Sequence, residues 1–446
     1  MEELIMRPYY GFNVNGDMGG DLGIVDYSTQ IVPDMTIISA FSYAIKNGRK
    51  IDIRDFNAEK VLPEQEVANI KDRNYKKCYI KMTAPTSKLD IQFCRYLKKN
   101  CPELKIFIFG HAGNILKEWI EENVKEIDFI ITEPLDVYFY KEINGYNTNP
   151  TLDDMESPQY QFLPYQKYRD TERSIGYLWS SRGCSLSCMY CPYNQYYGRK
   201  IMTRSVEKLA QDIGALVELK INYFQFRDPF FTHSRQRTKD ICNMIHERNY
   251  NIEWMCETRI DSLDKELICD MRDAGCTSIA FGIENADFRI LSKHGRPVYD
   301  IAKIKAVIQV CKEYGIATLA FYMIGFPEDN WNTVEETYKL AEKLDTDYAQ
   351  FNIFTYYPDN EENTIGQENI TPDVFVEGKN MTIYQTCKNI PKDQLEELTQ
   401  YFTFSYSVRK DGLKAALESK QYSELIKERG KKNAERVRKQ MAQFLM

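Results

Sequence analysis

The first 140 residues alternate short apolar runs with stretches whose apolar positions recur at helical spacing. Strands are expected at 4–6, 49–55, 78–82, 105–109 and 129–131, and helices at 35–47, 89–100 and 115–123. Gly48 falls where a helix-terminating glycine belongs. Strands alternating with helices predict a parallel sheet covered on both faces, with ligands beyond the carboxyl ends of its strands. Those ends carry Thr83-Ala84-Pro85-Thr86-Ser87, Gly110-His111-Ala112-Gly113 and Thr132-Glu133-Pro134-Leu135.

Residues 141–172 are polar with little periodicity, the pattern of a linker. A second, more regular alternation follows over 173–360. Its expected strands are 176–181, 223–227, 253–259, 278–284, 317–324 and 349–356, with helices at 206–220, 237–248, 264–274, 301–314 and 334–344 between them. Six strand–helix pairs predict an incomplete barrel of the TIM type, with its chemistry at the carboxyl ends of the strands. Residues 361–446 are expected to be mostly helical and include a solvated mixed-charge stretch at 427–439. The fold class is therefore α/β: a Rossmann-like domain over 1–140, a linker, a partial (β/α)6 barrel and a helical carboxyl-terminal region.

With 43% hydrophobic and 28% charged residues, the chain can bury sizeable cores under a polar surface. A net charge of −7 gives no support to a nucleic-acid or anionic-membrane partner. The amino terminus has no basic segment followed by an apolar run, and no window approaches the roughly 18 apolar residues of a membrane span. Twelve cysteines without a signal peptide read as reduced thiols, so the expected compartment is the cytoplasm.

Three of those cysteines change the picture. The segment Ser181-Arg182-Gly183-Cys184-Ser185-Leu186-Ser187-Cys188-Met189-Tyr190-Cys191 directly follows the first barrel strand. It presents three thiols on one tight loop, and no fourth cysteine lies nearby. A four-iron cluster ordinarily takes four thiolates. Held by three, it keeps one iron open, as a catalytic zinc keeps one position open. That iron can take the amino and carboxylate groups of S-adenosylmethionine (SAM). A structural zinc site and a set of unligated thiols are the competing readings.

The spacing CxxxCxxC, with Tyr190 before the last cysteine, resembles the signature of the radical SAM superfamily. The resemblance extends through Arg227-Asp228-Pro229-Phe230-Phe231-Thr232, Cys256-Glu257-Thr258-Arg259-Ile260-Asp261, Phe281-Gly282-Ile283-Glu284 and Met323-Ile324-Gly325-Phe326-Pro327-Glu328. It implies a 4Fe-4S cluster on Cys184, Cys188 and Cys191, with Tyr190 against the adenine of SAM. It also implies Arg227 and Asp228 near the methionine amino group, and Glu257, Arg259 and Glu284 on SAM's polar groups. The usual glycine pair at 227–228 is absent. Glu257 and Arg259 share one strand face, so an internal ion pair is the alternative for them.

Residues 1–140 resemble the cobalamin-binding domain that precedes the barrel in one radical SAM subgroup. The resemblance places Thr83, Pro85, Thr86, Gly110, His111, Gly113 and Glu133 at the cofactor. Thr132-Glu133 stands where that subgroup usually has Gly-Glu, and no Asp-x-His-x-x-Gly motif supplies a lower cobalt ligand. For His111 the alternative is a loop histidine bonded to backbone.

The resemblance implies methyl transfer to an unactivated carbon of a small molecule, with an electron donor such as flavodoxin or ferredoxin. A non-methylating radical rearrangement or cyclisation on the same scaffold is the second expectation. A non-catalytic metal-binding protein is the third. The Tyr356-Tyr357-Pro358-Asp359-Asn360 loop departs from the family's usual Pro-Gly-Thr and is expected to shape specificity.

Overall fold

The computed structural model describes residues 2–26, 30–170, 173–297, 300–357, 370–379 and 386–418 of the 446. The 427–439 stretch and positions 358–360 of the 356–360 loop lie outside the described residues.

Five strands build the first sheet: β1 (Glu3–Arg7), β2 (Ile51–Asp55), β3 (Lys77–Lys81), β4 (Lys105–Phe109) and β5 (Phe129–Ile131). All pair in parallel in the order β2-β1-β3-β4-β5. The strand order therefore reverses between β1 and β3, the place where an open parallel sheet forms its ligand crevice. Helix α1 (Met35–Lys46) starts where Asp34 accepts the Thr36 and Ile37 amides at 3.0 and 3.3 Å. It stops before Gly48, whose φ is +78°. Helix α2 (Ser87–Asn100) follows the β3 loop, and α3 (Leu135–Asn144) follows β5.

Helix α3 runs into the stretch expected to be a linker, and the rest of that stretch is packed rather than free. Tyr160 and Tyr168 are fully buried. The Tyr160 hydroxyl donates to the Tyr177 carbonyl at 3.0 Å, and the Tyr168 hydroxyl to Asp55 at 2.7 Å. Polar composition hid two aromatic wedges between the sheets.

The second sheet holds β6 (Arg173–Leu178), β7 (Tyr223–Phe226), β8 (Glu253–Thr258), β9 (Cys276–Glu284), β10 (Ala317–Ile324) and β11 (Tyr348–Ile353). They pair in parallel in sequence order, and a short antiparallel strand, Arg169–Asp170, is added beside β6. This is the expected open half-barrel. On the sheet face away from Glu257, Trp254 meets Phe226 and Phe231 with ring centroids 5.3 Å apart in each pair. Contacts of this kind each add about 1 kcal/mol beyond area burial.

Edge strand β11 would expose unpaired backbone groups. The short helix α4 (Tyr193–Tyr197) follows β6, and the long helix α5 (Lys392–Glu418) covers β11. The Phe351 amide donates to the Thr403 hydroxyl at 3.1 Å, and the Tyr406 hydroxyl to the Thr346 carbonyl at 2.7 Å. Among the described residues, no helix is long and apolar enough to cross a membrane.

Candidate active site

Cys184, Cys188 and Cys191 lie on the loop between β6 and α4. Gly183 opens the loop at φ +86°, and a Cβ there would sit 2.1 Å from the Lys200 carbonyl oxygen, so only glycine fits. The buried Asp228 carboxylate ties down the loop's stem. It accepts the Ser180 amide at 2.7 Å and the Ser180 and Ser181 hydroxyls at 2.6 Å each. The Cys184 amide donates to Gly198 at 3.2 Å and the Met189 amide to His294 at 3.2 Å.

The three cysteines line one cavity of about 260 Å³ together with Tyr190, Arg227, Glu257, Arg259 and Glu284. Asp228 does not line it; the residue expected at SAM is spent on holding the cysteine loop. Burial raises the Cys184 thiol and takes Cys191 up to about 12. These groups therefore ionise on meeting a metal rather than in its absence.

Among the described residues, no three His, Cys, Asp or Glu side chains are disposed around a single ion. A structural zinc needs convergence on one centre. The thiols of a cubane each hold a different iron and must stand apart, so a cluster suits three thiols spread along one cavity wall.

Also lining the cavity, Glu284 ends β9 at φ +73°, after a register shift between Gly282 and Glu284. A non-glycine residue held there stores strain that the surroundings must impose. Arg296 imposes it: its Nη2 lies 3.2 Å from Glu284 Oε1 and donates to the Gly282 carbonyl at 2.9 Å. Tyr190 stands edge-on to Phe326 and Phe354, with centroids 6.0 and 5.9 Å away. That apolar box suits a flat ring.

An internal Glu257–Arg259 ion pair is the alternative to SAM contact, and each side chain turns to another partner. Arg259 turns to Asp261, with Nε 2.8 Å from Oδ1, because the strand ends at Thr258 and the chain bends. Glu257 faces Arg227 at 3.5 Å.

Two charged lining residues, Arg296 and Asp17, were not among those expected. Arg296 lies in Lys293-His294-Gly295-Arg296, a loop without an obvious chemical pattern. Asp17 comes from the amino-terminal domain and lies 3.6 Å from Arg227 Nε. Its Oδ2 accepts the Met35 amide at 3.2 Å, while Oδ1 is buried without a hydrogen-bond partner. The Gly-rich run around it was the only signal.

At the first sheet's carboxyl edge, every residue expected at cobalamin is where the strand pattern put it, but each meets protein. Thr83 and Thr86 share a hydroxyl contact at 2.6 Å, and Thr86 donates to Asp90 at 2.7 Å. The Pro85 carbonyl accepts the Gly378 amide at 2.9 Å. Gly110 packs on the Met82 carbonyl, and Gly113 on Ile108. Fully buried His111 bonds through Nδ1 to the Gly20 carbonyl at 2.9 Å and stacks on Tyr196 at 5.2 Å, the backbone-bonded alternative. Glu133 pairs with Lys141, and its carbonyl accepts the Tyr196 hydroxyl at 3.2 Å. As the chain stands here, these residues are engaged by other parts of the protein, and no step is derived through cobalamin.

The family model "Radical SAM superfamily" matches residues 180–341. An uncharacterized methyltransferase of Pyrococcus horikoshii is 33% identical over 269 residues, which span 58% of this chain and 57% of that protein. An anaerobic magnesium-protoporphyrin IX monomethyl ester cyclase of Rubrivivax gelatinosus is 26% identical over 216 residues, 47% of this chain and 39% of that one. The chain thus spans well under two thirds of these relatives. Among solved structures, a radical S-adenosylmethionine methyltransferase, TsrM, from Kitasatospora setae with cobalamin and a [4Fe-4S] cluster bound is similar. It superposes with a TM-score of 0.62 at 13% identity, over 80% of this chain and 76% of that chain, a likeness of fold.

Proposed function

We propose that this chain, whose residues 180–341 match the radical SAM superfamily model, is an enzyme that cleaves SAM reductively and directs the radical at a small molecule. The observation that carries this is the shared cavity, lined by Cys184, Cys188 and Cys191 together with the Glu284–Arg296 pair and Tyr190, whose ring meets Phe326. The cluster, when bound, supplies one electron to SAM, and an external carrier of the flavodoxin or ferredoxin kind replenishes it. This chain's residues do the rest. Asp228 holds the loop that presents the thiols. Glu284 and Arg296 offer a paired carboxylate and guanidinium to SAM's ribose and methionine ends. Tyr190, Phe326 and Phe354 exclude water around the adenine.

Methyl transfer to carbon is the outcome that the methyltransferase relative and the TsrM likeness favour. Cobalamin, when bound at the first sheet, would supply methyl-carrier chemistry. A non-methylating cyclisation or rearrangement is the second reading, favoured by the filled carboxyl edge of that sheet and by the likeness to a cyclase.

Anaerobic reconstitution tests the proposal. About four irons per chain and release of 5′-deoxyadenosine from SAM are expected, both lost in a Cys184/Cys188/Cys191→Ala variant. Iron-free protein that leaves SAM intact would sink it. S-adenosylhomocysteine formed alongside deoxyadenosine favours methyl transfer; deoxyadenosine alone favours the second reading.

A further inference from the structure

The crevice between β1 and β3 is occupied by the chain itself. Residues 19–23 enter it and are hooked at three points. Asp21 pairs with Lys81 at the end of β3, both side chains fully buried, and Lys81 Nζ also donates to Thr36 Oγ1 at 2.7 Å. The Leu22 carbonyl accepts the Ala84 amide at 2.6 Å. The Gly20 carbonyl takes the His111 bond from the β4 loop. The segment is an unusual knot, with φ of +61°, +64°, +70° and +83° at Gly19, Gly20, Asp21 and Gly23. Asp21 pays a steric cost for that backbone, so contacts rather than local preference hold the shape.

The same segment reaches the radical site. Gly20 packs so closely on α4 that a Cβ would lie 2.6 Å from the Tyr193 amide nitrogen. The Tyr197 hydroxyl meets Asp21 at 3.3 Å. Four residues upstream, Asp17 lines the cavity beside Arg227. Its Oδ2 carries both the Met35 and Arg227 contacts, while its buried Oδ1 has no hydrogen-bond partner.

We propose that residues 19–23 are a built-in plug of the cofactor crevice, and that cobalamin enters only by displacing them, which withdraws Asp17 from the radical cavity. The corrin and the closed roof over the cysteines exclude one another. The plug explains how a sheet of this order keeps a dry crevice: Asp21 and the Gly20 carbonyl meet the Lys81 and His111 donors that a guest would otherwise meet. This rests on reading the first domain as the cobalamin-binding type.

Hydroxocobalamin titrated into full-length, cluster-reconstituted protein tests it, with bound cofactor read by absorbance after gel filtration. An Asp21→Ala/Lys81→Met variant removes both members of the buried pair together. It should bind cobalamin at least about tenfold more tightly than the wild type, a change of about 1.4 kcal/mol. His111→Phe, which unhooks Gly20 alone, should move in the same direction. Equal affinity in wild type and both variants overturns the plug, and so does absence of binding in all three. In the wild type, hydrogen exchange at Leu22, Gly23 and Ala84 should rise when cobalamin binds; bound cobalamin with unchanged exchange overturns the proposal without any variant. Iron content and SAM cleavage are read on the same samples. Protein that keeps both but shows no plug effect fails this inference alone, while loss of both in the wild type fails the radical reading.

Discussion

Arg296 Nη1 lies 3.7 Å from the Cys188 sulfur, and the same guanidinium holds Glu284. One cation therefore links a candidate cluster ligand to the carboxylate across the cavity. A donor on a ligating sulfur stabilises the more negative, reduced cluster and raises its potential. Arg296→Met is expected to lower the midpoint potential of the reconstituted cluster by about 60 mV or more, tenfold in a one-electron equilibrium. Potentiometric titration followed by electron paramagnetic resonance measures it. An unchanged potential would assign Arg296 to Glu284 alone.

Asp228 bears on iron binding without lining the cavity. Asp228→Ala leaves the Ser180 amide and two serine hydroxyls without their acceptor, a loss of about 1–3 kcal/mol. The cysteine loop should loosen, and iron per chain after reconstitution should fall by about half or more. Full iron content in the variant would remove Asp228 from any positioning role.

The backbone at Gly183 gives a sharper test. Gly183→Ala forces a Cβ onto the Lys200 carbonyl oxygen in a left-handed conformation. Iron binding is expected to be lost while circular dichroism keeps its helical signal, because the strain is confined to one loop. Retention of stoichiometric iron would contradict the geometry of this turn.

Asp90 makes stability depend on pH. Burial pushes its carboxyl up to about 7, against the lowering effect of bonds from Thr86, Tyr10 and Thr83. The folded chain holds this proton more tightly than the unfolded chain, whose Asp titrates near about 3.9. Its contribution is therefore complete below about pH 4 and is lost as pH rises through about 7. Asp21, raised to about 6 by burial although Lys81 lowers it, acts with the same sign. Urea midpoints measured from about pH 5 to pH 8 should fall with pH in the wild type. They should fall less in Asp90→Asn. Identical slopes would show that Asp90 is not protonated in the folded chain.

Periodicity carried far in this chain. The β3 run Lys77–Lys81 and the β4 run Lys105–Phe109 read as buried strands because apolar residues dominate them. Regular spacing then located all six barrel strands to within a few residues. The three cysteines were legible because thiols on one short loop after a strand have few other physical uses. Glu284 and Arg227, to which the family resemblance pointed, both line the cavity. Arg296 and Asp17 were not legible: the first depends on a loop folding back over β9, the second on two domains meeting.

The sequence by itself thus determined the two parallel sheets, their succession along the chain and the three-cysteine loop, since strand period and thiol spacing are local properties. Only the tertiary structure decided what fills the spaces between those parts. It turned Asp228 from a cofactor contact into a loop anchor and put Asp17 beside Arg227. It also packed residues 19–23 into the first sheet's crevice, with His111 on Gly20 and Lys81 on Asp21. Each of those outcomes pairs residues tens of positions apart in the chain, and such pairing is set by which buried polar groups can satisfy one another once the layers have closed.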